Sequence, residues 1–361
     1  MPIPPGAPPS AMPNGHDVAE QYARQCQEEG REPVAEFVQL LAGPGQRTCS
    51  VPRRSPPLTD VDLAILCGYL QGNRSCEELE LEGNGLAEAA AAHIATVLAE
   101  NPVLKCLRLG ENLLRDEGVL LLCAAMHKNT SVLQLDLRCN QLGPNGGRAV
   151  AQMLQMNNSL TDLNLQKNGL SDDSCVALSK ALRTNPSLTA LNVRFNDVGD
   201  TGALAFADLL RVNDMLSSLD LGGNRIQQKG GQAIFDALQG NSTLLKLNLR
   251  SNQITAEACR ALEGSLARNG VLAELYLGFN AIQEQGVVCV AAGLQSNVGL
   301  RKLDLQGIPV GRPGMEAVGA ALKHNAHLRS LIVQMEEDNR DAGLALASGL
   351  RHNTALTDLV L

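Results

Sequence analysis

The chain is poor in the residue types that mark many catalytic and membrane proteins. Its 361 residues include no Trp, three Tyr, five Phe and six His, and no stretch approaches the roughly 18 apolar residues of a membrane-spanning helix. Its start, MPIPPGAPPSAMPNG, lacks the basic and then apolar segments of a secretory signal. A net charge of −8 disfavours nucleic acid and anionic membranes as partners. We therefore expect a cytoplasmic protein without a transmembrane segment.

Common catalytic motifs are missing as well. The sequence contains no Gly-x-x-x-x-Gly-Lys-Ser/Thr phosphate loop, no Gly-x-Ser-x-Gly elbow, no His-Glu-x-x-His and no Cys-x-x-Cys pair. His324, His327 and His352 come nearest to a metal-ligand pattern, but solvated loop positions explain them better. The ten Cys follow repeat positions rather than disulfide spacings, which indicates free, buried thiols. We expect no catalytic residue, no metal and no cofactor.

What the chain has in abundance is an internal repeat. Asn recurs with a 28-residue period, and we call these the ladder Asn residues: Asn84, Asn112, Asn140, Asn168, Asn196, Asn224, Asn252 and Asn280. A Leu lies five residues before each of them, and a Leu or Val lies three residues before. A fixed period of this length is typical of stacked supersecondary units rather than of one globular core. We expect each Asn amide to bond to backbone groups at the turn that leaves a strand.

Each repeat combines a strand pattern with a helix pattern. Before Asn140, Leu135 and Leu137 alternate with polar residues, which is the strand period of two. The apolar residues that follow share one face of a helix: Gly146, Ala149, Val150, Met153 and Leu154. Because strands stack about 4.8 Å apart and helices need about 8–10 Å, the stack should curve with its strands inside. The pattern predicts an α/β solenoid, a horseshoe with a concave parallel β-sheet and convex α-helices.

The unit L-x-x-L-x-L-x-x-N-x-L followed by a helix resembles the ribonuclease-inhibitor-like leucine-rich repeats. The resemblance covers residues 56–361, and counting by the first Leu of each unit gives eleven strands, from Leu79 to Leu359. Pro56 stands where the preceding Asn would be. The resemblance implies a leucine-rich repeat solenoid that binds other proteins and catalyses no reaction.

The last repeats depart from the pattern. Ile308 and Glu336 occupy Asn positions, and Asp338 replaces an apolar residue. Either tolerated drift at the end of a solenoid or a functional site accounts for these changes. The sequence ends at Leu361, within the eleventh strand. Three interpretations stay open for this edge: a truncated chain, coverage by a partner or a second copy, and a tolerated frayed strand.

The segment before the repeats has two parts. Residues 1–15 are typical of a disordered Pro-rich tail, and residues 16–55 predict a helical N-terminal cap on the first repeat. Two short amphipathic helices are separated near residues 30–33, with Val18, Tyr22 and Cys26 on one face and Val34, Phe37, Val38 and Leu41 on another. The segment resembles that of leucine-rich-repeat-containing proteins of cilia and centrosomes. That resemblance implies an axonemal or centrosomal structural role.

Side chains between the Leu positions form the candidate binding surface on the concave face. Because Arg and aromatic residues dominate binding hot spots, the recurring Arg and the few exposed aromatics are favoured. The candidate partner-binding residues are Arg108, Asp136, Arg138, Arg194, Phe195, Asp220, Arg250, Tyr276 and Phe279. Two alternatives stay open: the charges pair across strands on a solvated sheet, and the Phe rings pack into the turns. We expect one or more protein partners, with no nucleic acid and no membrane.

Two other functions are weighed against a binding scaffold. The repeat type also resembles the GTPase-activating protein for Ran, which implies a rim arginine such as Arg74 or Arg115. That family carries a strongly acidic segment after the repeats, which this sequence does not reach. A fragment of an immune-type sensor or regulator is the third possibility, and the missing phosphate loop disfavours it.

Overall fold

The computed structural model describes residues 15–42, 45–54, 57–334 and 340–361. The expected Pro-rich tail up to residue 14 lies outside these residues, as do Pro56, Glu336 and Asp338. The chain divides into two compact units, Met1–Asn140 and Gln141–Leu361. Both units alternate short strands with helices.

Five helices and four parallel strands make up the described part of the first unit. Along the chain they are α1 (Gly15–Glu28), α2 (Ala35–Ala42), β1 (Thr48–Ser50), α3 (Asp60–Gly72), β2 (Glu78–Glu80), α4 (Glu88–Glu100), β3 (Cys106–Arg108), α5 (Arg115–Met126) and β4 (Gln134–Asp136). The strands pair in chain order, so that each strand neighbours the next one in sequence.

Eight helices and eight parallel strands follow in the described part of the second unit. They are α6 (Pro144–Met156), β5 (Asp162–Asn164), α7 (Asp172–Leu182), β6 (Ala190–Asn192), α8 (Asp200–Leu210), β7 (Ser218–Asp220), α9 (Gln228–Leu238), β8 (Lys246–Asn248), α10 (Ala256–Arg268), β9 (Glu274–Tyr276), α11 (Gln283–Ser296), β10 (Lys302–Leu305), α12 (Gly311–His324), β11 (Ser330–Val333), α13 (Arg340–Leu350) and β12 (Asp358–Val360). Equivalent residues pair at the repeat period, as Leu163 does with Leu191.

The core of each unit consists of the Leu rows and one face of each helix. Leu163 and Leu191 are buried on neighbouring strands, and Val150, Met153 and Leu154 are buried on the predicted face of α6. Each fully buried aliphatic side chain contributes about 1.5–3 kcal/mol, and a single repeat cannot bury them alone. The parallel sheet and the one-sided helices confirm the α/β solenoid predicted from the repeat.

The first strand breaks the period. Cys49 in β1 pairs with Leu79 in β2, so the two partners are farther apart in sequence than one repeat. The repeat phase places Val51 at this position, two residues later, and Val51 instead donates its N–H to the Glu80 carbonyl at 2.8 Å. Eleven described strands lie within residues 57–361, and β1 adds another in a segment for which the sequence predicts a helical cap.

The ladder Asn residues bond to backbone groups at the turns, as the sequence predicts, and they also join successive repeats. The Asn112 Oδ1 atom accepts the N–H groups of Asn84 and Leu86, both at 3.0 Å. Its Nδ2 atom donates to the carbonyls of Leu81 at 3.0 Å and Leu109 at 2.9 Å. One buried amide therefore satisfies backbone groups of two repeats that no strand ladder reaches.

A second Asn series lies at the other end of the helices. At Asn185, Nδ2 donates to the carbonyls of Leu154 at 2.8 Å and Asn157 at 2.9 Å. Its Oδ1 atom accepts the N–H of Leu188 at 2.8 Å, which turns the chain into the next strand. The same phase holds Asn73, Asn101, Asn129, Asn157, Asn185, Asn213, Asn241, Asn269, Asn297, Asn325 and Asn353.

The second Asn series continues where the ladder Asn is replaced at position 308. Ile308 is buried at a ladder Asn position, and its side chain has no atom that accepts or donates a hydrogen bond. Asn325 and Asn353 still donate to carbonyls of the preceding repeat, Leu294 at 2.8 Å and Leu322 at 2.7 Å. The strands therefore keep their register without the Asn at position 308.

The N-terminal helices dock through a buried carboxylate. Asp62 in α3 accepts hydrogen bonds from the Tyr22 hydroxyl at 2.7 Å and from Arg31 at 2.5 Å. Asp62 and Thr59 also form a reciprocal cap on α3. Burial opposes the charge on Asp62, but the hydrogen bonds from Thr59, Tyr22 and Arg31 outweigh it and lower the pKa of Asp62.

The ten Cys are all free, and nine of them are buried. Burial raises the pKa of Cys67 to about 12, so this thiol stays protonated. Within the described ranges, no helix has both the length and the apolar character needed to cross a lipid bilayer.

Replacing one ladder Asn should destabilise the fold strongly. Asn196→Ala removes four hydrogen bonds to buried backbone groups, two accepted from N–H groups and two donated to carbonyls. We expect the free energy of unfolding to fall by about 3 kcal/mol in urea titrations. The exposed Asn158→Ala is the matched control, with an expected change below about 0.5 kcal/mol. Equal losses in the two variants would contradict this role of the ladder.

The carboxylate of Asp62 should make the docking of α1 and α2 sensitive to acid. Since folding lowers its pKa, its stabilisation is full above the unfolded value of about 3.9 and is lost as pH falls through the folded value. Asp62→Asn should speed amide hydrogen exchange in α1 at pH 7 and flatten its dependence on pH below about 4. Asp60→Asn, an exposed change in the same helical turn, should leave both unchanged.

Candidate functional site

One side of each strand carries the side chains that the core does not use. In β9, Leu275 is buried while Glu274 and Tyr276 are partly exposed, and β2, β6 and β7 show the same alternation. We define the sheet face as the side chains six, four, two and one residues before each ladder Asn position. All nine sequence candidates lie on this face.

The sheet face of the first unit is a network of ion pairs. Arg108 pairs with Glu80 one repeat earlier, and Arg138 pairs with Glu82 two repeats earlier, at 2.7 Å. Asp136 also contacts the Arg138 guanidinium. Partial burial opposes the charge, but the hydrogen bonds and charges of Glu82 and Asp136 outweigh it and raise the pKa of Arg138. Arg108, Asp136 and Arg138, the candidate residues of the first unit, are therefore all engaged in ion pairs.

A cleft of about 460 Å³ adjoins this network. Its lining residues are Ser50, Val51, Pro52, Arg53, Glu80, Glu82, Gly83, Arg108 and Glu111. All three lining carboxylates take part in ion pairs with Arg108 or Arg138. In this unit, cross-strand charge pairing accounts for Arg108, Asp136 and Arg138 without a ligand.

In the second unit, Tyr276 lies between two cations. The Nζ atoms of Lys246 and Lys302, on the flanking strands, lie 5.6 Å and 5.4 Å from the centre of its ring. The Tyr276 hydroxyl donates to Glu274 at 2.7 Å. Burial and this hydrogen bond raise the pKa of Tyr276 well above its ordinary value. The ring is thus fixed on the sheet face with cations on both sides.

Phe195 and Phe279 occupy a strained backbone position. The residue before every ladder Asn has a positive φ angle: Gly83, Glu111, Cys139, Lys167, Phe195, Gly223, Ser251 and Phe279. The φ angles of Phe195 and Phe279 are 53° and 55°. A left-handed conformation suits Gly and is unfavourable for a bulky side chain. The turn requires a left-handed backbone at this position in each of these repeats, but it does not require that the residue be Phe.

Each Phe ring lies against a Gly of the next repeat. A Cβ atom on Gly223 would come within 2.2 Å of the Phe195 ring, and one on Gly307 within 2.4 Å of the Phe279 ring. The two rings are still 44% and 48% exposed. The rings therefore pack against the neighbouring turn, and they also present a face to solvent that a partner could contact.

Each ring also has a guanidinium over it. Arg194 lies 4.5 Å from the centre of Phe195 and Arg250 lies 4.6 Å from the centre of Phe279. Arg250 binds the carboxylate of Asp304 and the side-chain oxygen of Gln306. Within the described parts of the chain, Arg194 forms no ion pair, and its Nε atom is buried without a hydrogen-bond partner.

Asp220 lies on the same face but does not pair with an arginine. Its two carboxylate oxygens accept the Gly222 N–H and the Asn248 side-chain amide, both at 2.9 Å. The second unit therefore brings together Arg250, Tyr276 and Phe279, with Arg194 and Phe195 nearer its start. Sequence reasoning missed Lys246 and Lys302, and it placed Asp304 near the Arg row without including it among the candidates. The first two stand six residues before an Asn position, a row that strand alternation also turns outward.

The residues considered for other chemistry are dispersed. Arg74 donates to the Gln71 carbonyl after α3, whereas Arg115 begins α5 with a φ angle of 54°. The described residues contain no group of three or more potential metal ligands.

Comparison with known families agrees with the repeat geometry. A family model described as "Leucine Rich repeat" matches residues 100–123, 128–151, 157–179, 184–207, 212–235 and 240–262. The chain contains leucine-rich repeats. The repeat length and the full helix in each repeat are ribonuclease-inhibitor-like, as the sequence predicts.

Individual relatives cover only parts of this leucine-rich repeat protein. The human NACHT, LRR and PYD domains-containing protein 14 is 37% identical over 83 residues, which is 22% of this chain and 8% of the relative. The structure of leiomodin-1 actin-binding site 2 is 21% identical, covers 42% of this chain and 88% of its own, and has a TM-score of 0.36. The tropomodulin C-terminal domain of Caenorhabditis elegans is 18% identical, covers 43% and 92%, and has a TM-score of 0.35. Neither structural likeness indicates what this chain binds.

The packing of Phe195 on Gly223 should be measurable as an energetic coupling. Gly223→Ala introduces both a Cβ clash with the ring and a left-handed Ala, so we expect a loss of about 2 kcal/mol. In a Phe195→Ala background the clash disappears and the loss should fall to about 1 kcal/mol, the backbone component alone. Urea unfolding of the four proteins gives the coupling. Additive losses would show that ring and Gly do not interact.

Proposed function

We propose that this leucine-rich repeat protein is a non-catalytic interaction scaffold that binds a partner protein through the sheet face of its second unit. The observation that carries the proposal is the set of fixed, partly exposed rings flanked by cations, at Phe195, Tyr276 and Phe279. Aromatic and Arg side chains are the commonest binding hot spots. The repeats themselves support a protein-interaction scaffold.

Preorganisation supports this assignment. The Tyr276 hydroxyl is held by Glu274, and the Arg250 guanidinium is held by Asp304 and Gln306. These side chains lose little conformational freedom when a partner arrives, so less binding energy is spent on ordering them.

The backbone at the two Phe residues supports it as well. Gly occupies the same left-handed position at Gly83, Gly223 and Gly307, where it adopts the conformation without steric cost. Phe at this position costs about 1–3 kcal/mol of backbone strain. Because Glu, Cys, Lys and Ser also adopt this conformation in other repeats, the exposed aromatic ring rather than the strain alone supports recognition.

We also propose an axonemal or centrosomal place for the protein. Its support is the resemblance of the segment around Tyr22, Cys26 and Val34 to proteins of cilia and centrosomes. Expression of the tagged full chain in ciliated cells should label the axoneme or the basal region, and uniform cytoplasmic label would contradict the placement. This proposal is independent of which surface binds.

Removing the two central rings should abolish partner binding. The full chain and Tyr276→Ala/Phe279→Ala are used to capture proteins from a cell extract, which are then quantified by mass spectrometry. For a partner that binds directly, we expect the dissociation constant to rise at least about 30-fold, since each hot-spot residue contributes about 2 kcal/mol or more.

The control variant carries two changes on exposed helix positions. Met156→Ala/Leu204→Ala removes apolar side chains that are 64% and 44% exposed, outside the sheet face. It should capture the same partners as the unaltered chain. Equal capture by all three proteins would show that the sheet face of this unit is not the binding surface. Circular dichroism checks that each variant is folded.

A further inference from the structure

Arg194 differs from the two arginines at the same position in other repeats. Arg138 is neutralised by Glu82 and Asp136, and Arg250 by Asp304. Among the residues that the structure describes, no carboxylate lies within ion-pair distance of Arg194. Of these three arginines, Arg194 is therefore the one that lacks an ion-pair partner among the described residues.

The Nε atom of Arg194 is also buried without a hydrogen-bond acceptor. Native proteins pair most buried polar atoms, so such a donor calls for an explanation. The aromatic ring of Phe195, 4.5 Å from the guanidinium carbon, stabilises the cation but is not a lone-pair acceptor in the guanidinium plane. Because Nε is buried, the donors of Arg194 that a ligand can reach are those of its two Nη atoms.

The next repeat has no side chain at the position equivalent to Arg194. That position is Gly222, which is buried. A Cβ atom there would lie within 3.2–3.3 Å of Asp220, Asn248 and the Arg250 carbonyl, so the space around it is already filled by polar groups. The next repeat therefore supplies no side chain at this position that could pair with Arg194.

We propose that Arg194 binds the carboxylate of an Asp or Glu side chain in an acidic segment of the partner protein. The proposal rests on the proposed function and specifies the chemistry of its partner. Phe195 holds the guanidinium plane, which leaves the two Nη atoms to donate a forked pair of hydrogen bonds to a carboxylate. The exposed faces of Phe195 and Phe279 bind apolar residues of the same segment.

Charge favours a carboxylate over a phosphate or a nucleic acid. Phosphate groups are usually bound by clusters of arginines, whereas Arg250 is already occupied by Asp304. Asp220 lies beside Gly222 in the next repeat, and it repels a doubly charged phosphate more strongly than a single carboxylate. The chain's net charge of −8 likewise opposes a polyanion more strongly than a segment that carries one carboxylate.

A random peptide display library, screened against the immobilised full chain, provides the test. We expect the selected peptides to carry one Asp or Glu at a fixed spacing from apolar residues. Arg194→Gln should weaken the best synthetic peptide at least about tenfold, since a hydrogen-bonded charge pair is lost. Arg194→Lys should restore part of the binding, because it keeps the charge without the fork.

Controls separate recognition from folding. Arg225→Gln removes an exposed arginine whose ion pair with Asp197 lies outside the sheet face, and it should leave peptide binding unchanged. Arg194→Gln should shift the melting temperature by no more than about 2 °C, because only the contact with Phe195 is lost. A larger fall would give Arg194 a structural role and would overturn the proposal.

The remaining outcomes are equally decisive. Peptides without an enriched acidic residue, or no selected peptide, would overturn the proposal, as would equal affinity for Arg194→Gln. Tighter binding of a peptide with phosphoserine at the acidic position would show that Arg194 prefers a phosphate, which would overturn the proposal of a carboxylate. If Tyr276→Ala/Phe279→Ala abolishes peptide binding while Arg194→Gln does not, the carboxylate contact fails and the sheet-face function stands. If neither variant affects binding, both fail.

Discussion

Hydrogen bonding by buried Asn side chains is the constraint on which the rest of this structure depends. The short strands of this parallel sheet leave the backbone groups of the adjoining turns without strand or helix partners. The ladder Asn residues satisfy such groups on the side where the chain leaves a strand, and the second series does so where a helix ends. Each amide bonds to backbone atoms of two adjacent repeats, so an inserted residue would displace several partners at once. The constant repeat length from Asn84 to Asn280 is the consequence.

That constraint determines the sheet face as well. Because the register is constant, a given repeat position forms a straight row, and side chains two repeats apart can meet. Arg138 with Glu82 and Arg250 with Asp304 are such contacts. The same turn holds the residue before each ladder Asn in a left-handed conformation, which places Phe195 directly over Gly223. The architecture thus supplies rigid rows, and specificity depends on the residues that occupy them.

The sequence predicts which residues share a repeat position better than it predicts which side chains form ion pairs. Periodicity identified the buried Leu rows, the helix faces and the outward candidates, because each is a property of one repeat. It did not identify β1, since Cys49 lies farther from Leu79 than the period requires and the added length hides the strand. Nor did it distinguish Arg138, Arg194 and Arg250, which share one position and differ only in side chains one or two repeats away. Ion pairing depends on conformation across repeats, which a single period does not contain.

Two local costs at one place argue for a function there. Phe195 places a bulky, exposed ring on a left-handed backbone, and Arg194 beside it has a buried donor without an acceptor. Either cost alone fits tolerated drift, since a repeat solenoid spreads its stability over many interfaces. Together they form an element in which an oriented cation lies beside an exposed ring. In the first unit the corresponding charges neutralise one another, and no such element forms among the described residues. The contrast supports the proposed binding surface in the second unit, where an incoming carboxylate would supply the ion-pair partner that Arg194 lacks.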